Sequence, residues 1–282
     1  MATLYLVSTP IGNLDDLSVR AADTLRSVQR ILAEDTRRSR VLADRVGARA
    51  PLVSVHAHNE QERVSRIVGW LDGGEDLALV SDAGTPLLSD PGGRVVAAVV
   101  RAGHRVVPIP GPSAPLAALI ASGLPADRFT FLGFPARKGK ARAEDLARVG
   151  GASETTVLFE SPHRLVALLD DLDRVCEQGR RVAVARELTK LHEEVVRGTL
   201  PEVARYYRER PPRGEVTVVV GPAESGDGEG PSREEGVRVA RELLGGGMKP
   251  SHVAREVAKR LGLARNDAYR IVHDLDESPK DQ

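Results

Sequence analysis

The 282 residues suffice for two α/β domains and a small extra module, and a content of 41% hydrophobic and 28% charged residues excludes a disordered chain. Forty basic residues balance forty acidic ones, so any grip on nucleic acid must come from local patches rather than overall charge. The single cysteine, Cys176, excludes a disulfide framework and a cysteine-based zinc site within one chain. Residues 1–8 lack the basic flank and the length of a signal peptide or a span, which predicts a soluble cytoplasmic protein.

In chain order, residues 3–8 read as a buried strand that runs into Thr9-Pro10-Ile11-Gly12-Asn13-Leu14-Asp15-Asp16, with a helix over 17–30 behind it. That loop is not G-x-G-x-x-G, and no G-x-x-x-x-G-K-[ST] occurs anywhere, so the dinucleotide and P-loop signatures are absent. A second strand, 30–34, ends in Asp35-Thr36-Arg37-Arg38-Ser39-Arg40. Its arginines suit phosphate contact, or form a solvated helix start capped by Asp or Thr. A third strand, 52–55, leads to His56-Ala57-His58-Asn59-Glu60 and a helix to 71. His56 and His58 share one side of an extended segment and could move a proton or hold a metal. No third ligand is identifiable, and no metal is predicted.

The strand at 76–80 ends in the loop Ser81-Asp82-Ala83-Gly84-Thr85-Pro86-Leu87-Leu88-Ser89-Asp90-Pro91-Gly92-Gly93, and a helix follows. Ligands bind at the carboxyl ends of strands in open α/β sheets, and glycine and proline let such a loop bring backbone close to a ligand. The competing reading is a long turn in which Asp90 or Ser89 caps the next helix. Strand 105–110 ends in Gly111-Pro112-Ser113-Ala114-Pro115, where Ser113 is a natural N-cap and the helix start could take an anionic group. This alternation argues for a mostly parallel sheet with helices packed on it, a first domain over 1–123.

A second α/β domain is expected over 124–221. It opens with a strand at 129–132. Residues 133–142 follow, with Arg137, Lys138, Lys140 and Arg142, and read as a surface loop that either grips a polyanion or is simply solvated. Next come a strand at 155–160, a helix begun by Ser161-Pro162-His163-Arg164, and a strand at 181–185 ending in Arg186-Glu187-Leu188-Thr189-Lys190. Glu193, Val195 and Arg197 alternate, a helix starts at Pro201, and a last strand covers 214–220. The closer spacing predicts some antiparallel pairing. Residues 222–235 read as a flexible linker, and 236–282 as a small helical, helix-turn-helix-like module. Base reading, dimer packing and ribosome docking are all open roles for that module.

The order of these blocks, from Ser8-Thr9-Pro10-Ile11-Gly12-Asn13-Leu14 and Ala33-Glu34-Asp35-Thr36-Arg37 through His56 to Glu60, Val80 to Pro86, Ser89-Asp90-Pro91-Gly92, Pro110-Gly111-Pro112-Ser113-Ala114, Phe159 to Arg164, Arg186 to Lys190 and Gly214-Glu215, resembles the tetrapyrrole-methylase superfamily of class III S-adenosylmethionine-dependent methyltransferases. The resemblance covers 4–221 and is closer to the branch that methylates ribose 2'-oxygens of small-subunit ribosomal RNA. It implies two α/β domains with S-adenosylmethionine, and no metal, in the cleft between them, and a homodimer. Ser81-Asp82-Ala83 departs from the superfamily's commoner Gly-Asp-Pro. By matching, Asp82 and Thr85 would line the methionine part of the cofactor, and Ile11, Ser113, Ala114, Phe159, Leu188 and Glu215 the rest. Asp90 would keep a structural role.

The implied reaction is 2'-O-methylation of a cytidine in the decoding region of 16S rRNA. A ribose hydroxyl is a poor nucleophile at neutral pH and needs a base, for which Glu60, Glu187 and His56 are candidates. Arg37, Arg137, Lys138, Arg164, Arg186 and Lys190 are candidates for phosphate contact, or for salt bridges that hold the domains together. Two alternatives stand beside this reading. One is a methyltransferase on a tetrapyrrole or other small molecule, which would need neither the arginine-rich loops nor the helical tail. The other is a non-catalytic RNA- or ribosome-binding protein.

Overall fold

A computed structural model describes residues 2–223, 233–246, 248–261 and 265–276. In the first half, β1 (Thr3–Val7), β2 (Arg30–Ala33), β3 (Leu52–Ser54), β4 (Leu77–Val80) and β5 (Arg105–Ile109) form one sheet, in the order β3-β2-β4-β1-β5 with every pairing parallel. A parallel sheet is covered on both faces, so its inner strands read as continuous apolar runs. β4 is the clearest case, with all four residues buried. Alternate residues of β1 serve the two faces. Val7 joins α1 (Val19–Ser27) and α2 (Thr36–Val46) through Leu25 and Val46. Leu4 joins α3 (Glu60–Asp72) and α4 (Gly93–Arg101) through Ile67 and Val99.

In the second half, β6 (Phe129–Gly133), β7 (Thr155–Glu160), β8 (Arg181–Arg186), β9 (Glu194–Thr199) and β10 (Val216–Val220) form a sheet of order β6-β7-β10-β8-β9. β6 and β7 are parallel and the other pairings antiparallel. One face is covered by α6 (Gly139–Gly150), α7 (Leu165–Val175) and α8 (Leu200–Glu209), through Leu146, Leu169 and Tyr207. The other face is covered by α5 (Ala114–Ser122), whose Ala118 and Leu119 pack on Val157, Ala183 and Val219. α5 follows the first sheet in sequence but packs on the second. Met1–Ala223 cluster as one compact unit.

Beyond it, α9 (Arg233–Gly245), α10 (Pro250–Leu261) and α11 (Arg265–Asp276) form a second unit with its own core of Ala240, Val253, Val257, Ala268 and Ile271. Most of the expected linker at 222–235 lies outside the described residues. No helix among the described residues is long and apolar enough to cross a membrane.

Three local expectations are corrected. The basic segment 133–142 is not all loop, because α6 begins at Gly139 and Arg142 is ion-paired with Asp171 at 2.7 Å. Basic residues mask the sparse apolar side of α6, which buries only Leu146 and Val149. The helix expected over 17–30 starts later, at Val19, because the Ser18 side chain caps it, and ends at Ser27, leaving Arg30 to β2. Neither Asp90 nor Ser89 caps α4. Its N-cap is Gly92, which has no capping side chain, and the first amides are met from α3, where Glu60 Oε1 accepts from the Arg94 and Val95 amides at 2.6 and 3.1 Å. A carboxylate at a helix N-terminus satisfies orphan amides and complements the helix dipole.

Candidate active site

The loops after β1 and β4 are stitched together by reciprocal amide–carbonyl hydrogen bonds between Thr9 and Gly84, at 2.9 and 3.0 Å. The Thr85 hydroxyl donates to the Pro112 carbonyl at 3.1 Å, tying in the loop before α5. The loops of the second half close on these. A Cβ on Gly12 would stand 2.8 Å from Thr189 Oγ1, so the approach of the two halves leaves no room for a side chain. Between them lies a cavity of about 360 Å³, within the range of roughly 300–1,000 Å³ usual for small-ligand sites. It is lined from the first half by Ile11, Arg38, Asp82, Thr85 and Asp90, and from the second by Phe134, Phe159, Glu160 and Glu215, with Ala114 between.

Strain collects around it. Leu87 and Ser89 in one loop, and Glu187 and Thr189 in another, have positive φ. Non-glycine residues in that conformation cost energy and persist where surrounding structure fixes them, commonly at functional sites. The second loop is held by charge. Glu187 Oε1 accepts from Lys190 Nζ at 2.8 Å and from the Glu215 amide at 2.9 Å. The hydrogen bond from the Lys190 ammonium, then that from the Glu215 amide, holds the Glu187 carboxyl below its ordinary value. Gly214 makes this possible. Its φ is 80°, and a Cβ there would overlap the Glu187 carboxylate.

The first-half wall is acidic. Asp82 Oδ1 accepts from the Asp35 amide at 2.9 Å, and Oδ2 faces Arg38 at 3.3 Å. Burial, followed by the charges of Glu34 and Asp82, pushes the Asp90 carboxyl up to about 6. Burial, followed by Asp82, also raises Glu34, against the lowering effect of Arg38 and His56. Three neighbouring carboxylates, Glu34, Asp82 and Asp90, form an environment that favours a cationic ligand.

On the opposite wall the Glu160 side chain is fully buried. One carboxylate oxygen accepts from the Arg164 guanidinium and from the Ser161 amide, while Oε2 and Arg164 Nη1 are buried without a partner. Thr9 Oγ1, Ser113 Oγ and Thr189 Oγ1 are also buried and unpartnered. Buried polar atoms are normally paired, and Glu160 lines the cavity, so its Oε2 points to a ligand there that completes it.

Of the residues expected to hold a cofactor, Ile11, Asp82, Thr85, Ala114, Phe159 and Glu215 line the cavity. Ser113 occupies the N-cap position of α5 without a capping bond, and Leu188 packs into the cluster beneath α5. None of the residues expected as a base lines it. Glu60 caps α4, Glu187 locks its own loop, and the His56 ring stands against His58 with a buried, unpartnered Nδ1. Among the expected phosphate contacts, Arg37 is exposed but paired with Asp35 at 2.7 Å, and Arg137 and Lys138 are exposed with no ion pair among the described residues. Arg164 is tied to Glu160, Arg186 to Glu194 at 3.4 Å, and Lys190 to Glu187. Sequence reasoning missed Arg38, Asp90, Glu160 and Phe134 as cavity residues. The position of Glu160 at the end of a buried strand was the available signal.

Comparison with known proteins decides the family. Residues 3–204 match the pattern that defines the Tetrapyrrole (Corrin/Porphyrin) Methylases. The chain belongs to this family. This tetrapyrrole methylase is 42% identical over 276 residues to a Synechocystis protein named ribosomal RNA small subunit methyltransferase I, covering 98% of this chain and 99% of the relative. It is 41% identical over 277 residues to the Bacillus subtilis protein of that name, covering 97% and 94%.

Among solved structures it is similar to a cobalt precorrin-4 methyltransferase, with a TM-score of 0.60, 18% identity, and coverage of 78% of this chain and 94% of the other. It is also similar to a Thermus thermophilus uroporphyrin-III C-methyltransferase complexed with S-adenosylhomocysteine, with a TM-score of 0.56, 23% identity, and coverage of 78% and 97%. At these identities the likeness shows the fold. As a member of this family the chain is an S-adenosylmethionine-dependent methyltransferase. The cavity fits such a cofactor, since its acidic wall suits a sulfonium and an ammonium, and the unpartnered Oε2 of Glu160, a lining residue, can accept from a ligand's donor. Among the described residues no group of three His, Cys, Asp or Glu could hold a metal ion.

Proposed function

We propose that this chain methylates the ribose 2'-oxygen of a cytidine in the decoding region of 16S rRNA. The observation that carries the reading is the near full-length similarity to relatives named for small-subunit ribosomal RNA, joined to a cavity with an acidic wall and, three and four residues after its lining Phe134, exposed cations at Arg137 and Lys138 with no ion pair among the described residues. The fold neighbours named for porphyrin and precorrin substrates lie below 25% identity and support the architecture only.

S-adenosylmethionine supplies an activated methyl on a sulfonium, so the protein's task is to align an oxygen nucleophile and take up its proton. Asp82 and Thr85, with Ile11, Ser113, Ala114, Phe159, Leu188 and Glu215, would hold the cofactor. Glu160 Oε2 adds an acceptor on the second wall. The sequence candidates for the base, Glu60, Glu187 and His56, give way to Asp90. Asp90 lines the cavity, and its carboxyl, raised to about 6, is ionised at neutral pH yet basic enough to take a hydroxyl proton. Arg37, Arg137 and Lys138 would meet phosphates, while Arg164, Arg186 and Lys190 would set the loops that shape the pocket.

The test is a labelled-methyl transfer assay offering free 16S rRNA, assembled small subunits and precorrin-type tetrapyrroles in parallel. Transfer to RNA, located by nuclease digestion on a ribose, is the expected result. Transfer only to a tetrapyrrole, or to a base, overturns the reading. Calorimetry with S-adenosylmethionine tests the non-catalytic alternative, which requires no saturable binding.

A further inference from the structure

Phe134 is one of four phenylalanines in the chain, and it is 57% exposed although it lines the cavity. The ring leans on Phe159, with centroids 5.3 Å apart and planes at 51°, and Phe159 in turn meets Phe131 edge-on at 5.1 Å. Phe134 is thus braced by an aromatic cluster while more than half of the residue stays open. Leaving so much of a phenyl ring in water forgoes burial energy that the neighbouring Pro135 obtains.

The presenting segment is firmly held. Gly133, at φ 71°, comes so close to the β4–α4 loop that a Cβ on it would lie 3.0 Å from Ser89 Oγ. The Ala136 amide donates to Asp145 Oδ2 at 2.9 Å, and the Ala136 carbonyl accepts from Arg142 Nη1 at 3.2 Å. Arg142 is itself pinned to Asp171. Directly after this braced stretch come Arg137 and Lys138, exposed and without an ion pair among the described residues. Leu88, 38% exposed, adds an apolar side chain to the cavity wall from the β4–α4 loop.

An open aromatic face with cations a few residues away is the combination that holds single-stranded nucleic acid, by stacking on the base and neutralising the flanking phosphates. The geometry points to Phe134 as the stacking platform for an unpaired nucleobase of the RNA substrate at the mouth of the cavity, with Arg137 and Lys138 on the adjoining phosphates. This rests on the RNA reading given above. The competing occupant of the same ring face is the adenine of the cofactor.

Phe134→Ala and Phe134→Trp, together with a double Arg137→Ala/Lys138→Ala variant, separate the possibilities. Each is assayed for methyl transfer to small subunits, for binding of a decoding-region RNA hairpin across a salt series, and for S-adenosylhomocysteine binding by calorimetry. Phe134→Ala is expected to raise KM for RNA roughly 5- to 150-fold, with cofactor affinity unchanged, and Phe134→Trp is expected to restore it. The double variant should flatten the log–log salt slope by about 1.4, at about 0.7 per single-strand phosphate contact. Loss of cofactor affinity in Phe134→Ala with RNA affinity intact assigns the ring to the adenine and overturns the proposal, as does no change in either. If the unmodified chain transfers methyl to no RNA, it is the functional reading that fails. If it does and Phe134→Ala keeps its KM, this inference alone fails.

Discussion

Asp90 shows how one side chain couples stability, pH and ligand. Its carboxyl is raised to about 6 from an ordinary 3.8 because burial, then the Glu34 and Asp82 charges, disfavour ionisation. The folded state therefore binds the proton more tightly than the unfolded one, and stability falls as pH rises from about 4 to about 6. Asp90→Asn should be neutral at pH 4 and stabilise the ligand-free protein by about 1–2 kcal/mol at pH 7.5, after allowance for partial exposure. Urea unfolding at the two pH values measures this, and a pH-independent effect would contradict it. A cationic ligand reverses the balance, because it favours the ionised form. S-adenosylmethionine affinity should then weaken as pH falls below about 6, and Asp90→Asn should flatten that profile in calorimetry. Asp82 differs, since its carboxylate already accepts from the Asp35 amide and faces Arg38. Asp82→Ala should weaken cofactor binding about tenfold or more, the loss of roughly one charge-assisted contact.

At the scale of elements, Glu60 and α4 carry the clearest test. α4 begins on a glycine, and its first amides are met by a carboxylate from another helix. Glu60→Ala removes the acceptor for two amides, one of them on the buried Val95, and should cost about 2–3 kcal/mol. Glu60→Gln keeps an acceptor oxygen and should cost about half as much or less. Neither should change cofactor affinity, so a loss of turnover with unchanged unfolding would return Glu60 to the reaction. The strand-end loops were legible in sequence because each is a local pattern, an apolar run followed by Gly, Pro and polar residues. The role of Glu60 was not, because its partners lie more than thirty positions away and only the packing of α3 against α4 brings them together. Gly214 beside Glu187 was hidden for the same reason. Phe134 was hidden because an exposed aromatic residue after a strand has no period to reveal it.

At the scale of the whole molecule, cavity and helical module are separable. Every residue lining the cavity lies within Met1–Ala223, and that unit holds its own buried clusters beneath both sheets. The helices beyond have a closed core that draws on none of these residues. A chain ending at Ala223 should therefore fold and bind S-adenosylhomocysteine with the affinity of the full chain, within about twofold. What the module can add is charge. α10 exposes Arg255 and Lys259, and Lys249 just before it, none with an ion pair among the described residues, whereas Arg260 is paired with Glu256. In a chain of zero formal net charge, such a local excess is the form an electrostatic attraction to RNA has to take. If α10 contacts up to three phosphates, removing the module should lower the slope of log affinity against log salt by up to about 2 for a single strand. Affinity at low salt should fall with it, while kcat at saturating RNA stays unchanged. An unchanged salt slope would confine RNA contact to the unit that holds the cavity. A loss of cofactor binding would mean that the two units do not fold independently.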